Sequence, residues 1–73
     1  MDNKTLKALR EDLIDELGAI NQYQEHIDGI DDEEVKKTLG HIRDDEKEHA
    51  AEITKMIRKL DITQEEKFQK EDL

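Results

Sequence analysis

Two lines of apolar residues, each repeating at alternating spacings of three and four, restrict most strongly how this chain can fold. Such a line is the stripe that one helix presents to another, and here each half of the chain carries one. The spacing therefore predicts two long amphipathic helices. The first seam consists of Leu6, Leu9, Leu13, Glu16, Ile20, Tyr23, Ile27 and Ile30, and the second of Val35, Leu39, Ile42, Glu46, His49, Ile53, Met56 and Leu60.

The two seams mirror each other about residue 31, which predicts an antiparallel hairpin. If the chain turns near Asp31 and runs back, each residue of the first seam meets one residue of the second in a shared packing layer. Glu16 and Glu46 then share a layer, and His49 lies one layer away beside Leu13. Three ionisable side chains are therefore expected at positions where a helical hairpin normally has apolar residues.

Capping residues give the approximate limits of the two long helices. Thr5 is the predicted N-cap of helix 1, which runs over about 6–28, and Gly29 is placed to end it in a left-handed conformation. Asp31 is predicted to cap helix 2, which runs over about 32–59. A connection this short joins antiparallel neighbours, in agreement with the mirrored seams.

A short third helix is predicted over 64–72, with Thr63 as its N-cap. Its apolar residues are mainly Phe68 and Leu73, so it must pack on a neighbour or fray. Arg58, near the end of helix 2, is expected to interact with the negative end of that helix dipole. The sequence thus predicts an all-α fold in one domain, 1–73: an antiparallel two-helix hairpin followed by a short C-terminal helix.

Composition shows why one copy of such a hairpin is not expected to be sufficient. Charged residues make up 45% of the chain and hydrophobic residues 33%, a balance that by itself favours disorder. Two sustained seams favour folding instead, but two helices have no closed core, so we expect dimerisation into a four-helix bundle. Further apolar residues flank the seams and predict a surface that a second protomer covers. These residues are Ile14, Leu17, Ala50 and Ile57.

Net charge, the length of the apolar runs and the lack of cysteine weigh against nucleic-acid binding, a membrane span and a thiolate metal site. The formal net charge of −9 weighs against nucleic-acid binding, which requires a basic surface. The longest apolar runs are too short for a membrane span, and no signal peptide is visible at the start. The chain has no cysteine and hence no thiolate metal site. A cytoplasmic protein without nucleic-acid or membrane partners is the expectation.

Burial of two carboxylates in neighbouring positions requires protonation, a buried cation or a metal ion. Neither seam contains lysine or arginine, whereas Glu46 and His49 are spaced as a chelating i, i+3 pair. Di-iron carboxylate bundles take one glutamate from each of two helices and Glu-x-x-His from each of the other two. This chain carries half of that set, with Glu16 as the lone glutamate, so two chains would supply a site for two irons. Tyr23, on the same seam, could donate to a ligand.

Alternatives remain open at this point. Zinc at the same ligands would give a metal site without redox chemistry. The polar layer could instead fix the register of a structural helical oligomer, or of a module that binds another protein. His26 and His41 lie off the seams and are expected to face solvent.

These residues resemble the encapsulated ferritins, the short ferritin-like proteins carried inside encapsulin shells. The similarity covers roughly 13–61, and it rests on Glu16, on Tyr23 seven residues later, and on Arg-Asp-Asp-Glu-Lys-Glu-His-Ala-Ala at 43–51. The resemblance implies a half-ferritin hairpin that dimerises to build a ferroxidase centre, with the dimers forming a ring, commonly a decamer. It also implies a location in the lumen of an encapsulin nanocompartment and a role in iron detoxification or storage.

The resemblance assigns roles to four residues. Glu16 would bridge the two irons, while Glu46 and His49 would be terminal ligands from each chain. Tyr23 would be the nearby aromatic residue of the catalytic site. The implied activity is oxidation of Fe(II) to Fe(III).

The chain departs from the family pattern at several positions. Asp15 fits the acidic residues that flank the bridging glutamate and form a secondary metal site, but Gly18 offers no ligand. Gln22 stands where the family has tryptophan, so iron access is expected to differ. The end of the chain, 69–73, contains nothing like the family's shell-docking peptide. Either that peptide belongs to a longer chain or this member works without a shell.

Overall fold

The computed structural model describes residues 3–73 as three α-helices joined by short connections. In chain order these are α1 (Asn3–Gly29), α2 (Glu33–Leu60) and α3 (Ile62–Lys70). α1 and α2 pack on each other as a hairpin, while α3 packs on α2. The predicted all-α hairpin with a short C-terminal helix is therefore confirmed. The first two residues of the predicted domain lie outside the described residues.

The ends of the long helices differ from the predicted caps. α1 begins at Asn3, so Thr5 lies inside the helix and its prediction as the N-cap is wrong. Gly29 does not have a positive φ, so the predicted left-handed stop is also wrong. Asp32 rather than Asp31 caps α2, because its extended backbone lets its carboxylate accept from the Val35 N–H at 3.0 Å.

A single residue, Asp61, joins α2 to α3 and replaces the predicted cap Thr63. Its backbone is extended, with φ −108° and ψ 95°, and its N–H donates to the Ile57 carbonyl at 2.8 Å. Its carboxylate accepts from the Gln64 N–H at 3.2 Å and from the Thr63 hydroxyl at 3.0 Å. The capping group therefore lies two residues earlier than predicted, and α3 begins at Ile62.

The protomer is a thin layer with almost no interior. Its principal extents are 47 × 28 × 14 Å, and a helix with its side chains is about 10–12 Å across. Leu6 and Ile57 are the only buried hydrophobic residues of the described chain, while Ile14 is 67% and Leu17 50% exposed. Ile57 is one of the four flanking residues, some of which were expected to stay exposed without a second protomer; it is buried within one chain. None of the described helices is both long and apolar enough to cross a bilayer.

Candidate metal centre

The hairpin brings together the three ionisable residues of its seams. Glu16 comes from α1, and Glu46 and His49 come from successive turns of α2. His49 Nδ1 lies 3.4 Å from Glu16 Oε2 and 3.6 Å from Glu46 Oε2. One potential ligand atom from each residue lies within 4.8 Å of the other two. The antiparallel register of the seams places these groups side by side, as the mirror relation predicts.

The centre contains a buried acceptor that lacks a partner. Glu16 Oε2 is buried and has no hydrogen-bond partner among the described residues. The side chains of Glu16 and Glu46 are 23% and 19% exposed, whereas that of His49 is 49% exposed. Buried polar atoms are nearly always satisfied, so an unpartnered carboxylate oxygen in an apolar seam is an informative exception. A cation bound among the three side chains would satisfy it.

The close approach of the two carboxyl groups changes how the centre binds protons. The pKa of Glu16 is raised, first by its contact with the Glu46 carboxyl and then by burial, and His49 opposes the shift only in part. Burial lowers the pKa of His49, but the two carboxylates together outweigh it and the net shift is upward. Without metal, Glu16 and His49 therefore hold their protons to a higher pH than usual, and a bound cation would compete with those protons.

Nearby basic side chains are turned away from the centre. Arg43 donates from Nη1 to Gln24 Oε1 at 2.8 Å and from Nε to Asp44 Oδ1 at 3.1 Å. Lys47 lies 3.7 Å from the same Asp44 carboxylate. Because these cations pair with other groups, neither neutralises the carboxylates of the centre. Two carboxylates and one imidazole suit a divalent transition metal better than Ca²⁺ or Mg²⁺, which prefer oxygen ligands alone.

Other candidate residues lie outside this cluster. Tyr23 is half-buried on α1, two turns beyond Glu16, and is not one of the three clustered residues. Asp15 is exposed and also lies outside the cluster. His26 and His41 are exposed, as predicted from their positions off the seams. The catalytic role of Tyr23 and the secondary metal-binding role of Asp15 remain predictions.

An open apolar groove of about 540 Å³ runs beside the centre. The apolar residues that flank the seams in the sequence predicted the part of the groove near the centre. Its far end, where Arg58 pairs with Glu65, was not predicted, because that pair depends on the direction in which α3 leaves α2. The groove is lined by Leu13, Leu17, Ala50, Ala51, Thr54, Lys55, Arg58 and Glu65.

Comparison with known proteins gives a family and a matching fold. The chain is 41% identical over 63 residues to the encapsulin nanocompartment cargo protein EncC of Myxococcus xanthus (strain DK1622), which covers 86% of this chain and 48% of the relative. It is 39% identical over 49 residues to the encapsulated ferritin-like protein of Rhodospirillum rubrum, which covers 67% of this chain and 35% of the relative. The crystal structure of protein ne0167 from Nitrosomonas europaea superposes with a TM-score of 0.86 at 30% identity, and the match covers 96% of this chain and 79% of that one.

The chain spans about half the length of the first of these relatives and about a third of the second. The model of the EncFtn-like family matches residues 1–71, nearly the whole sequence. Together with the two relatives, this match confirms the resemblance to the encapsulated ferritins. The chain belongs to the EncFtn-like family.

Proposed function

We propose that this chain is a ferroxidase subunit, which oxidises Fe(II) to Fe(III) at a di-iron centre shared between two protomers. One observation carries the proposal: Glu16, Glu46 and His49 converge around a buried carboxylate oxygen, Glu16 Oε2, that accepts no hydrogen bond in the described chain. Iron is the substrate here. The names of the two curated relatives, an encapsulin cargo protein and an encapsulated ferritin-like protein, support a role in iron detoxification and storage within an encapsulin shell.

Both the ligand count and the exposed apolar surface support a second copy. One chain offers two carboxylates and one imidazole, which is half of the set that a di-iron carboxylate bundle uses. Ile14 and Leu17 flank Glu16 on α1, and both remain at least half exposed in the protomer. A two-fold axis beside the centre would join the half-sites and cover these side chains in one step.

The side chains prepare the centre for Fe(II) through charge and protonation. Glu16 and Glu46 supply negative charge that offsets the charge of the metal ion. His49 faces both carboxylates through Nδ1, so this nitrogen is the candidate ligand atom once its proton leaves. When bound in pairs, the ferrous ions supply two electrons that reduce dioxygen to peroxide, or peroxide to water, with protons taken from the solvent.

The test is oxidation of Fe(II) by the full chain, followed by oxygen consumption and by ferric absorbance. Glu46→Ala and His49→Ala should abolish oxidation, because each removes one of the three converging ligands. Glu48→Ala and His41→Ala are matched controls, since both residues are exposed on α2 and lie outside the cluster. Retention of the wild-type rate by either ligand variant would show that the site is wrongly assigned.

Native mass spectrometry with Fe(II) added under nitrogen separates this proposal from its alternatives. The proposal expects even-numbered oligomers that saturate near one tightly bound iron per chain, and oxygen consumption once air is admitted. A zinc site would gain thermal stability from Zn²⁺ and show no turnover. A purely structural polar layer would form the oligomer and retain no metal.

A further inference from the structure

Polar and cation–π contacts, rather than buried apolar surface, hold α3 on the hairpin. None of the residues of α3 is buried, and Ile62 at its start is 72% exposed. Phe68 is half-buried and is the large apolar residue that α3 turns towards the rest of the chain. The position of α3 therefore depends on contacts that ionic strength or a single substitution can weaken.

Arg58 makes most of these contacts from the end of α2. Its Nε and Nη2 atoms donate to the Glu65 carboxylate at 2.6–3.1 Å, and Nη2 also donates to the Leu73 carbonyl at 2.9 Å. Its guanidinium carbon lies 4.3 Å from the centroid of the Phe68 ring. A forked guanidinium–carboxylate pair combined with ring stacking fixes an orientation that lysine cannot reproduce.

Asp61 fixes the other end of α3 and connects it to α1. Besides ending α2 and capping α3, its carboxylate lies 2.7 Å from Arg10 Nη2 on α1. The pKa of Asp61 is lowered by the Gln64 backbone N–H, then by the Thr63 hydroxyl and by Arg10. All three helices are thus tied together at one residue, and Arg58 adds a second attachment along α3.

The contacts of Arg58 lie in the apolar groove that runs beside the metal centre. Arg58 and Glu65 form one end of the 540 Å³ groove. Leu13, Leu17 and Ala50 lie in its part near the centre, and Ala50 directly follows His49 in the chain. The position of α3 therefore sets the part of the groove wall that Glu65 forms, while α1 and α2 form the part near the ligands.

We propose that Arg58 and Asp61 form an electrostatic latch that holds α3 in place and so shapes the groove on which the second protomer packs. The latch itself follows from contacts within one chain. That a second protomer packs on the groove rests on the proposed function, because only a shared metal centre requires a second chain on this face. Arg58 is a positioning residue in this scheme: it touches no ligand, yet it sets the surface across which the two half-sites meet.

The position of α3 can be measured directly. The chain lacks cysteine, so Glu52→Cys on α2 and Lys70→Cys on α3 give two unambiguous positions for spin labels. Labelled chains diluted into excess unlabelled chains report the intrachain distance by pulsed electron paramagnetic resonance. We expect one narrow distance distribution for the parent chain and a broadened one for Arg58→Gln. Lys59→Gln removes one charge from the same turn, and Lys59 makes no hydrogen bond or ion pair in the described chain, so it should leave the distribution narrow. A narrow, unshifted distribution in Arg58→Gln overturns the latch.

A double-substitution cycle tests whether the pair acts as a unit. Glu65→Gln should broaden the distribution in the parent chain and add little in the Arg58→Gln background, because the contact it removes is already lost. Equal effects in the two backgrounds would show that Glu65 acts independently of Arg58.

Self-association tests the consequence for the second protomer. Arg58→Gln should weaken the parent association about two- to fivefold, the range for a partly exposed ion pair. Oxidation of Fe(II) by this variant should fall at low chain concentration and recover when the concentration is raised, a rescue that misfolded protein would not show. Unchanged association alongside a broadened distance would overturn the link to the interface. If the parent chain neither associates nor oxidises iron, the proposed function fails while the distance measurement still decides the latch.

Discussion

Replacing Leu17 with alanine tests whether the face beside the metal centre is covered by a second protomer. Leu17 lies next to Glu16, lines the groove and is 50% exposed in the protomer. If a partner covers it, the exposed half of this side chain is buried on association. Truncation should then weaken association strongly while changing the helical content of the chain little.

The size of the effect follows from the exposed area. Deleting three carbon groups costs about 2.4 kcal/mol when they are fully buried, at about 0.8 kcal/mol per group. Since half of the Leu17 surface is already covered within the protomer, about 1.2 kcal/mol remains for each copy on association. A two-fold interface contains two copies, so the total is about 2.4 kcal/mol, or roughly a 60-fold increase in the dissociation constant.

Sedimentation equilibrium of metal-free protein over a range of concentrations measures that constant. Val35→Ala is the matched control, because Val35 is an aliphatic residue of similar exposure, 42%, at the turn end of the hairpin and outside the groove. If Leu17→Ala associates as tightly as the parent chain, the groove face is not the interface. An equal loss in both variants would show that the contact is not centred on the groove.

Three further outcomes follow from the structure. Ile57→Ala should lower the free energy of unfolding by about 2–3 kcal/mol, because it leaves a cavity at one of the few buried positions; thermal unfolding at fixed chain concentration measures this. Asp32→Ala removes the cap of α2 and should cost about 1 kcal/mol, seen as a Tm lower by about 4–8 °C. In metal-free protein the pKa values of Glu16 and His49 are both raised. Their contributions to the free energy of unfolding are therefore fully present below the ordinary pKa values of 4.5 and 6.5, and are lost as pH rises through the pKa of each group in the folded protein. The lowered pKa of Asp61 acts in the opposite direction, but only at acid pH. Urea unfolding with a chelator present should therefore show stability that declines as pH rises above 6.5, less steeply in Glu16→Gln; stability that rises above pH 6.5 contradicts the assignment.

The hairpin and the convergence of its polar residues could be predicted because both depend on periodicity. Residues spaced at three and four must share a helix face, and two mirrored seams fix which layers meet. The sequence alone therefore identifies Glu16, Glu46 and His49 as neighbours, because the mirrored seams and the short turn together fix their layers.

The helix ends could not be predicted as well, because several neighbouring residues have side chains able to cap. Thr63 and Asp61 both offer oxygen acceptors, and the choice depends on the extended backbone at Asp61, which no local pattern specifies. The partners of Arg58 on α3 could not be predicted either, because they lie beyond the end of α2. Its position in the last turn of α2 suggested only an interaction with the helix dipole, whereas its partners on α3 depend on the path through Asp61.

A layer one helix thick has a consequence for the lifetime of an unpaired chain. With Leu6 and Ile57 as its only buried hydrophobic residues in the described part, such a layer has few contacts to resist local opening. If copies assemble as proposed, amide protons along α1 and α2 should exchange quickly in dilute protein and slowly in the assembly. In a cell, newly made chains would face proteolysis until they meet partners, so the abundance of this protein should depend on the supply of other copies of itself.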